Sequence, residues 1–310
     1  MKIASLLPSA TEIVCALGLT DDLVGVTHEC DFPPGIDALP HLTASRISHQ
    51  TMSSSEIDHA VRSQLDGHGT LYDLHTELLD SLRPELIITQ ELCDVCAVNY
   101  QIVSQASRSL TADNTLVSLE PNTIDDIFET ILTVGEHAGV RSRAEAVVTE
   151  LSDRLGDVWA KLEFINERPR VMMLEWLEPP FAPGHWVPEQ VETAGGICLL
   201  GEAGQRSIAT TYDAIIESDP EVLVLIPCGF YIEDTIRQLE LTQFPAAWRE
   251  MTAVKNGNIW AMDATSYFSR PGPRVVEGVE RLARILHPTI FGEPTRDDGV
   301  KIAPELFRYK

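Results

Sequence analysis

The chain has 310 residues, of which 44% are hydrophobic, and its formal net charge at pH 7 is −24. It is too long for a small disulfide-stapled module and long enough for two compact lobes. Its negative charge excludes nucleic acid as a partner, since phosphates would be repelled, and no stretch approaches the roughly 20 apolar residues that direct insertion into a membrane requires.

The first elements decide whether the chain starts with a secretion signal. Lys2 and the apolar residues of Ser5–Leu19 resemble one at first sight, but polar residues interrupt the apolar run soon after it begins. The same residues predict a buried strand at 3–7 and a helix at 10–17, with Ser9 and Glu12 at the spacing of a capping box. Without a signal peptide we expect a cytoplasmic protein; the alternative is a periplasmic one whose native leader is missing.

Along the rest of the chain, short β-branched runs alternate with amphipathic segments, which predicts parallel α/β layers. The further strands are predicted at 23–27, 86–89, 115–118, 171–175, 222–226 and 258–262. The further helices are predicted at 54–65, 74–82, 99–110, 124–138, 189–194, 212–218, 233–239 and 274–286. A continuous helical pattern at 142–166 predicts a long helix between two lobes. We therefore expect two Rossmann-like α/β lobes, at 1–139 and 168–310, joined by a backbone helix at 140–167.

Ligands of parallel sheets bind beyond the carboxyl ends of the strands. Four loops follow predicted strand ends in this way, with the sequences HECDFPPG, QELCDVCAV, WLEPPFAPGHW and PCGFY. If the two lobes face each other, these loops share one cleft, which is the predicted ligand site.

The first two loops bring together His28, Cys30, Cys93 and Cys96. Thiolate and imidazole groups are ligands for transition metals, so a Cys3His metal site is one interpretation. A redox-active Cys-x-x-Cys pair is another. The third interpretation involves no metal or redox chemistry: these thiols, which are reduced like those of the remaining cysteines, only line the cleft.

The second pair of loops and the segment YFSRPGPR are rich in aromatic residues. Aromatic side chains in loops with many Pro and Gly residues favour a large flat or apolar ligand over simple loop packing. His185 lies among them and is either a ligand or an ordinary hydrogen-bonded histidine. The aromatic group consists of Trp176, Phe181, Trp186, Phe230, Tyr231, Tyr267 and Phe268.

Templates for catalysis are missing from the sequence. It has no glycine-rich phosphate loop, no G-x-S-x-G elbow and no H-E-x-x-H motif. We therefore expect binding without catalysis, and a metal- or thiol-dependent enzyme using the Cys/His cluster is the alternative.

Several segments resemble a known family, the class III substrate-binding proteins of ABC importers, and especially its cobalamin-binding members. The similar segments are SLLPSATEIVCALGLTDDLVGVTHECDFPP, LLDSLRPELIIT, EPPFAPGHWVPEQVETAGG, DPEVLVLIPCGF and SYFSRPGPRVVEGVERLARIL. The resemblance implies the helical-backbone metal-receptor fold, with a corrinoid bound between two lobes. Haem or an iron-siderophore on the same scaffold is the alternative ligand.

The resemblance also implies particular site residues. Ligand contacts would come from His28, Cys30, Asp31, Cys93, Cys96, Trp176, Phe181, His185, Trp186, Cys228, Tyr267, Phe268 and Arg270. Glu77 and Asp213, each seven residues before a proline, match the acidic residues through which the family docks on a transporter permease. The missing signal, the His-Glu-Cys segment and the Cys-x-x-Cys segment suggest a cytoplasmic subgroup that stores, delivers or senses a corrinoid. Its partner would then be a corrinoid-dependent enzyme instead of a permease.

Overall fold

The computed structural model describes residues 1–45, 52–66, 72–90, 100–165 and 167–310. These residues form two compact units. Unit 1 comprises the described residues of Met1–Ser48, His59–Pro121 and Asp125–Glu150, and unit 2 those of His49–Asp58, Asn122–Ile124 and Leu151–Lys310. Each unit is built on a mainly parallel sheet with helices, which confirms the predicted α/β class.

The sheet of unit 1 has four parallel strands in the order β2-β1-β5-β6. The described strands in the first 120 residues are β1 Ile3–Ser5, β2 Leu23–Gly25, β3 Thr43–Ser45, β4 Tyr72–Leu74, β5 Leu86–Thr89 and β6 Thr115–Ser118. Strands β3 and β4 pair separately as an antiparallel ribbon. The helices are α1 Pro8–Ala16, α2 Ser54–Asp66, α3 Thr76–Leu82, α4 Tyr100–Ser109, α5 Ile124–His137 and α6 Arg141–Leu162.

Helix α1 begins differently from the prediction. Pro8 is its first residue, and the preceding Leu7 is extended and makes no side-chain capping bond. The predicted capping box of Ser9 and Glu12 is therefore wrong, and both residues are buried inside the helix. Proline is well suited to a first helical position because its φ angle is already helical and it has no N–H to satisfy.

Buried strands form the centre of unit 1. All four residues of β5 are buried, as is usual for a parallel strand covered on both faces. The apolar cluster against this sheet includes Leu6 from the loop after β1, Leu42 and Leu79. This packing explains why the continuous apolar run at 86–89 predicts its strand correctly.

The sheet of unit 2 has the order β14-β13-β11-β7-β9, with β14 antiparallel to its neighbour and the other pairs parallel. Its strands, with those of two small ribbons, are β7 Arg170–Leu174, β8 Phe181–Ala182, β9 Ile197–Cys198, β10 Ile208–Ala209, β11 Val222–Leu225, β12 Gln243–Phe244, β13 Ile259–Ala261, β14 Val300–Lys301 and β15 Arg308–Tyr309. The ribbons pair β8 with β10 and β12 with β15.

The helices of this part of the chain are α7 Val187–Thr193, α8 Tyr212–Ser218, α9 Ile232–Leu241, α10 Thr252–Lys255, α11 Ala264–Tyr267, α12 Val275–Leu286 and α13 Pro288–Phe291. Short 3-10 helices lie at Thr20–Asp22, Ile36–Ala38, Ala246–Glu250 and Pro304–Leu306. Helix α6, predicted at 142–166, ends four residues earlier, at Leu162.

An aromatic cluster stabilises unit 2. The ring centroids of Phe244 and Trp248 are 5.0 Å apart, and those of Phe244 and Phe307 are 4.9 Å apart. Trp248 and Phe244 are fully buried, and Phe307 is 3% exposed. Because Phe307 lies three residues before Lys310, the cluster fastens the C-terminal segment to the core of the unit.

Candidate functional site

The loop after β2 carries the first predicted site residues. Cys30 is 2% exposed, and its Sγ lies 3.1 Å from Thr11 Oγ1 and 3.2 Å from Thr27 Oγ1. His28 Nδ1 lies 2.7 Å from Thr43 Oγ1, while Asp31 is exposed. The side chains of His28 and Cys30 are thus held by hydroxyl groups of threonines, one of them in the same loop, and Asp31 faces solvent.

The predicted Cys/His metal site depends on residues that the structure leaves undescribed. Cys93 and Cys96 lie outside the described residues. Among the residues that are described, no group of three or more His, Cys, Asp or Glu side chains is placed to hold a metal ion. A metal ion, a redox pair and thiols that line a cleft therefore all stay predictions.

The loop between β7 and α7 carries four predicted ligand residues, and the last of them is packed into unit 2. Trp186 is 6% exposed, and its indole N–H donates to the carbonyl of Phe268 at 2.9 Å. Phe181 and His185 are half-buried. Burial and the nearby Arg206 lower the pKa of His185, so its imidazole is largely neutral at pH 7, which is the form that coordinates metals.

Trp176 lies two residues after the end of β7, and its indole N–H already donates a hydrogen bond within the protein. It donates to the carbonyl of Ser54 at 3.2 Å, and the Trp176 ring meets that of Phe230 edge-on at 5.2 Å. Trp176 is half-buried and Phe230 is fully buried. Trp176 therefore presents only part of its ring to solvent.

The loop after β11 is more open. Cys228 is exposed and unpaired to another cysteine, and Tyr231 is 37% exposed. The backbone N–H of Cys228 donates to the carbonyl of Glu175 at 2.9 Å. This hydrogen bond places the two loops beside each other at the carboxyl edge of the sheet, as the parallel-sheet rule predicts.

The segment after β13 supplies Tyr267, Phe268 and Arg270. Phe268 and Arg270 are 3% and 8% exposed, whereas Tyr267 is half-buried. The guanidinium of Arg281 lies 4.4 Å from the centroid of the Tyr267 ring, a cation–π arrangement that fixes the ring. Of the three side chains, that of Tyr267 is the most exposed.

Glu77 and Asp213 occupy corresponding positions in the two units. Each is exposed and is the second residue of a seven-residue helix, α3 or α8. Both helices end at a residue with positive φ, Arg83 at 51° and Asp219 at 41°, and a Pro-Glu pair then leads into a strand of the central sheet. The two carboxylates thus stand at the same point of a repeated helix–strand unit.

Comparison with known proteins supplies the family. A sequence model of the family described as "Periplasmic binding protein" matches residues 3–265. The chain belongs to this family. The predicted family resemblance is thereby confirmed, and the family consists of binding proteins instead of enzymes.

Two curated relatives are named for their ligand. The vitamin B12-binding protein of Vibrio cholerae is 23% identical over 296 residues, covering 92% of this chain and 88% of the relative. The cobalamin-binding protein of Halobacterium salinarum is 25% identical over 292 residues, covering 93% and 70%.

Solved structures show the same fold. A periplasmic haem-binding protein of Pseudomonas aeruginosa superposes with a TM-score of 0.69 at 19% identity, covering 93% of each chain. The periplasmic vitamin B12-binding protein of Vibrio cholerae superposes with a TM-score of 0.63 at 22% identity, covering 92% of this chain and 96% of the other. None of the helices described in the present structure is long and apolar enough to span a membrane.

Two residues beside the predicted site were missed by the sequence-based reasoning. Glu175 appears there only as the last residue of a predicted strand, and Gln238 as an ordinary helix residue. In the structure Glu175 bonds to Gly184 and Ser207, and Gln238 bonds to Ser54 and Met52. No local pattern marks either residue, because the partners of their side chains, except Gly184, are more than 30 positions away in the chain.

Proposed function

We propose that this protein binds a corrinoid reversibly and without catalysis, and that it passes the ligand to an ABC-type permease. The observation that carries the proposal is the match, over more than nine-tenths of the chain, to proteins named for vitamin B12 or cobalamin binding. The absence of catalytic motifs from the sequence agrees with a binding role.

The side chains at the carboxyl edges of the sheets suit such a ligand. A corrinoid has a large, flat macrocycle with amide groups at its rim, and sites for such molecules combine aromatic faces with a few polar groups. Phe181, Tyr231 and Tyr267 offer aromatic surface in unit 2. Asp31 in unit 1 and the exposed Cys228 supply polar and thiol groups.

An axial ligand for cobalt is available in principle from imidazole or thiol groups. His185 is the favoured candidate among the described residues of unit 2, because its lowered pKa keeps a nitrogen lone pair free of a proton at neutral pH. The spectrum of bound cobalamin reports this coordination, since replacement of a cobalt ligand changes the visible absorption bands.

A haem-binding function is the second candidate, and the superposition with a haem-binding protein at a TM-score of 0.69 favours it. Desalting after incubation with cobalamin, hemin or a ferric siderophore, each in separate samples, distinguishes the ligands. We expect the absorption bands of cobalamin to stay with the protein fraction. Retention of hemin but not of cobalamin would show that the ligand is haem and not a corrinoid.

The enzyme alternative is tested by metal analysis of the protein as purified. Stoichiometric zinc or iron that is lost in the double variant Cys93→Ser/Cys96→Ser would favour a metal-dependent activity over simple binding. Under the binding proposal we expect the unmodified protein to contain no stoichiometric zinc or iron.

Docking on a permease would use Glu77 and Asp213, and the exposed, equivalent position of each within its own unit supports one contact from each unit. A cytoplasmic location with delivery to a corrinoid-dependent enzyme stays the competing prediction. Cell fractionation and N-terminal sequencing of the native protein separate the two: a processed protein outside the cytoplasm favours the permease, and an unprocessed cytoplasmic protein favours the enzyme.

A further inference from the structure

Glu175 connects three segments at the carboxyl edge of the sheet in unit 2. Its backbone N–H donates to the carbonyl of Phe181 at 3.1 Å. Its side chain accepts a hydrogen bond from the backbone N–H of Gly184 at 3.1 Å on Oε1 and another from Ser207 Oγ on Oε2. One residue therefore holds both ends of the short segment 181–184 and ties it to residue 207.

The segment 183–186 is tightly enclosed on its other side. The backbone N–H of His185 donates to the carbonyl of Gln205 at 2.5 Å, and that of Gly204 donates to the carbonyl of His185 at 2.9 Å. A Cβ atom at Gly184 would overlap the backbone of residues 205–207, so only glycine fits there. His185 has a φ of 50°, a conformation that the surrounding bonds must maintain.

We propose that the Glu175 carboxyl is a positioning group for the loop Phe181–Trp186. We further propose that solvent pH sets the equilibrium between the closed form of this loop and a form that is detached from residues 204–207. The detachment itself does not depend on the ligand. Its consequence for ligand affinity rests on the proposed function, because this loop carries Phe181, His185 and Trp186.

The electrostatic surroundings make the carboxyl sensitive to pH. Burial raises the pKa of Glu175 to about 7, although the hydrogen bonds from Ser207 and Gly184 act in the opposite direction. Facing it, the thiol of Cys198 has its pKa raised to about 12 by burial and by Glu192 and Glu175, so it stays neutral. The other ionisable side chains on residues 181–186 and 204–207 are those of His185 and Arg206. Burial lowers the pKa of His185.

The sign of the effect follows from linkage. In the detached loop the Glu175 carboxyl reaches water and titrates near its ordinary value of 4.5, whereas in the closed loop it titrates near 7. Between these two values the detached form loses its proton first, so the opening equilibrium rises about tenfold per pH unit, to about 300-fold in all. The loop is thus closed most firmly in acid and opens more often at neutral pH.

Hydrogen–deuterium exchange of the ligand-free protein measures this opening. After correction for intrinsic exchange rates, we expect protection of peptides covering 181–187 and 203–209 to fall by up to about 300-fold between pH 4.5 and pH 7.5. Peptides of β5 in unit 1 serve as the internal reference. In Glu175→Gln, which keeps a side chain of the same shape, this pH dependence should disappear. Protection in the unmodified protein that does not change with pH would overturn the proposal.

Two further variants assign the effect to the carboxyl. His185→Asn replaces the titratable side chain within the loop Phe181–Trp186 by a residue that tolerates positive φ, and we expect this variant to keep the pH dependence. Ser207→Ala removes a bond that lowers the pKa of Glu175, so its profile should move to higher pH. A profile that vanishes in His185→Asn, or that stays unmoved in Ser207→Ala, would contradict the role of Glu175.

A parallel titration with cobalamin separates this proposal from the proposed function. If the protein binds cobalamin, we expect Glu175→Ala to weaken binding at least tenfold and Glu175→Gln to have a smaller effect. If cobalamin does not bind at all, the proposed function fails while the exchange profile still decides whether Glu175 controls the loop.

Discussion

Ser54 and Gln238 lie 184 positions apart in the chain and are joined by two hydrogen bonds within unit 2. Gln238 Oε1 accepts from the backbone N–H of Ser54 at 2.9 Å and from Ser54 Oγ at 3.2 Å, and its Nε2 donates to the carbonyl of Met52 at 2.9 Å. The Gln238 side chain is fully buried. With the bond from Trp176 to the Ser54 carbonyl, this amide fastens the start of α2 to unit 2.

Replacement of this amide should release the segment. In Gln238→Leu the Ser54 N–H and the Met52 carbonyl lose their partner, which costs about 1–3 kcal/mol when such groups remain buried. We expect a lower free energy of unfolding in urea, faster amide exchange at residues 52–58 and a changed emission of Trp176. Gln243→Leu, at an exposed glutamine of β12, is the matched control. Equal stability of the two variants would show that the amide contacts contribute little.

The sequence predicts the regular elements well where the pattern is local. The strands at 86–89 and 115–118 and the helix at 212–218 agree with the structure at both ends. A continuous apolar run or a helical period is sufficient in these cases, because a buried parallel strand or an amphipathic helix requires that pattern. The two-lobe α/β organisation follows from the same alternation.

Short-range motifs are less reliable because tertiary packing decides between equal candidates. Two of the places with the spacing Ser-x-x-Glu are residues 9–12 and residues 53–56. In the structure it forms a capping box only at the second place, where Glu56 accepts from the N–H and the Oγ of Ser53, both at 2.8 Å. At the first place both residues are buried and Pro8 begins the helix instead.

Pairings between distant segments could not be predicted. Strands β14 and β15 have two residues each and depend on partners in β13 and β12. The burial of Phe268 and Arg270, both predicted ligand residues, likewise follows from packing that has no sequence period. Their contact with a ligand stays a prediction, as do the roles of Cys93 and Cys96.

The pH dependence of the unfolding free energy offers a second test of the proposed role of Glu175. A carboxyl whose pKa is raised in the folded state stabilises the protein below its unfolded pKa, and this contribution is lost as pH rises through the folded value of about 7. We therefore expect the unfolding free energy of the unmodified protein, relative to that of Glu175→Gln, to fall by about 3 kcal/mol between pH 4.5 and pH 7.5. Urea unfolding at four pH values measures the difference. A constant difference would show that Glu175 titrates normally.

The aromatic cluster of unit 2 should carry much of its stability. Trp248→Ala removes a fully buried side chain that packs against Phe244 and Phe307, and we expect a loss of about 3–5 kcal/mol. Trp159→Ala is the matched control, because Trp159 is 61% exposed; there we expect a change within about 0.5 kcal/mol. Thermal unfolding compares the two, and similar losses would contradict the assignment of the core.

Removal of the carboxylates of Glu77 and Asp213, at the starts of helices α3 and α8, tests the docking proposal. We expect Glu77→Ala and Asp213→Ala to leave cobalamin affinity within about twofold, because both side chains are exposed and neither is among the predicted ligand contacts. Uptake of labelled cobalamin by cells that depend on this protein should fall at least tenfold in the double variant. Glu293→Ala, at another exposed carboxylate, should not reduce uptake. Full uptake by the double variant would exclude these residues as docking contacts.

Calorimetric titration of the purified protein with cobalamin tests the central claim most directly. We predict saturable binding of one cobalamin per chain with a dissociation constant below about 1 μM, and weaker binding in a variant that combines Phe181→Ala with Tyr267→Ala. A titration without saturable heat, in protein that unfolds cooperatively and is therefore folded, would contradict corrinoid binding.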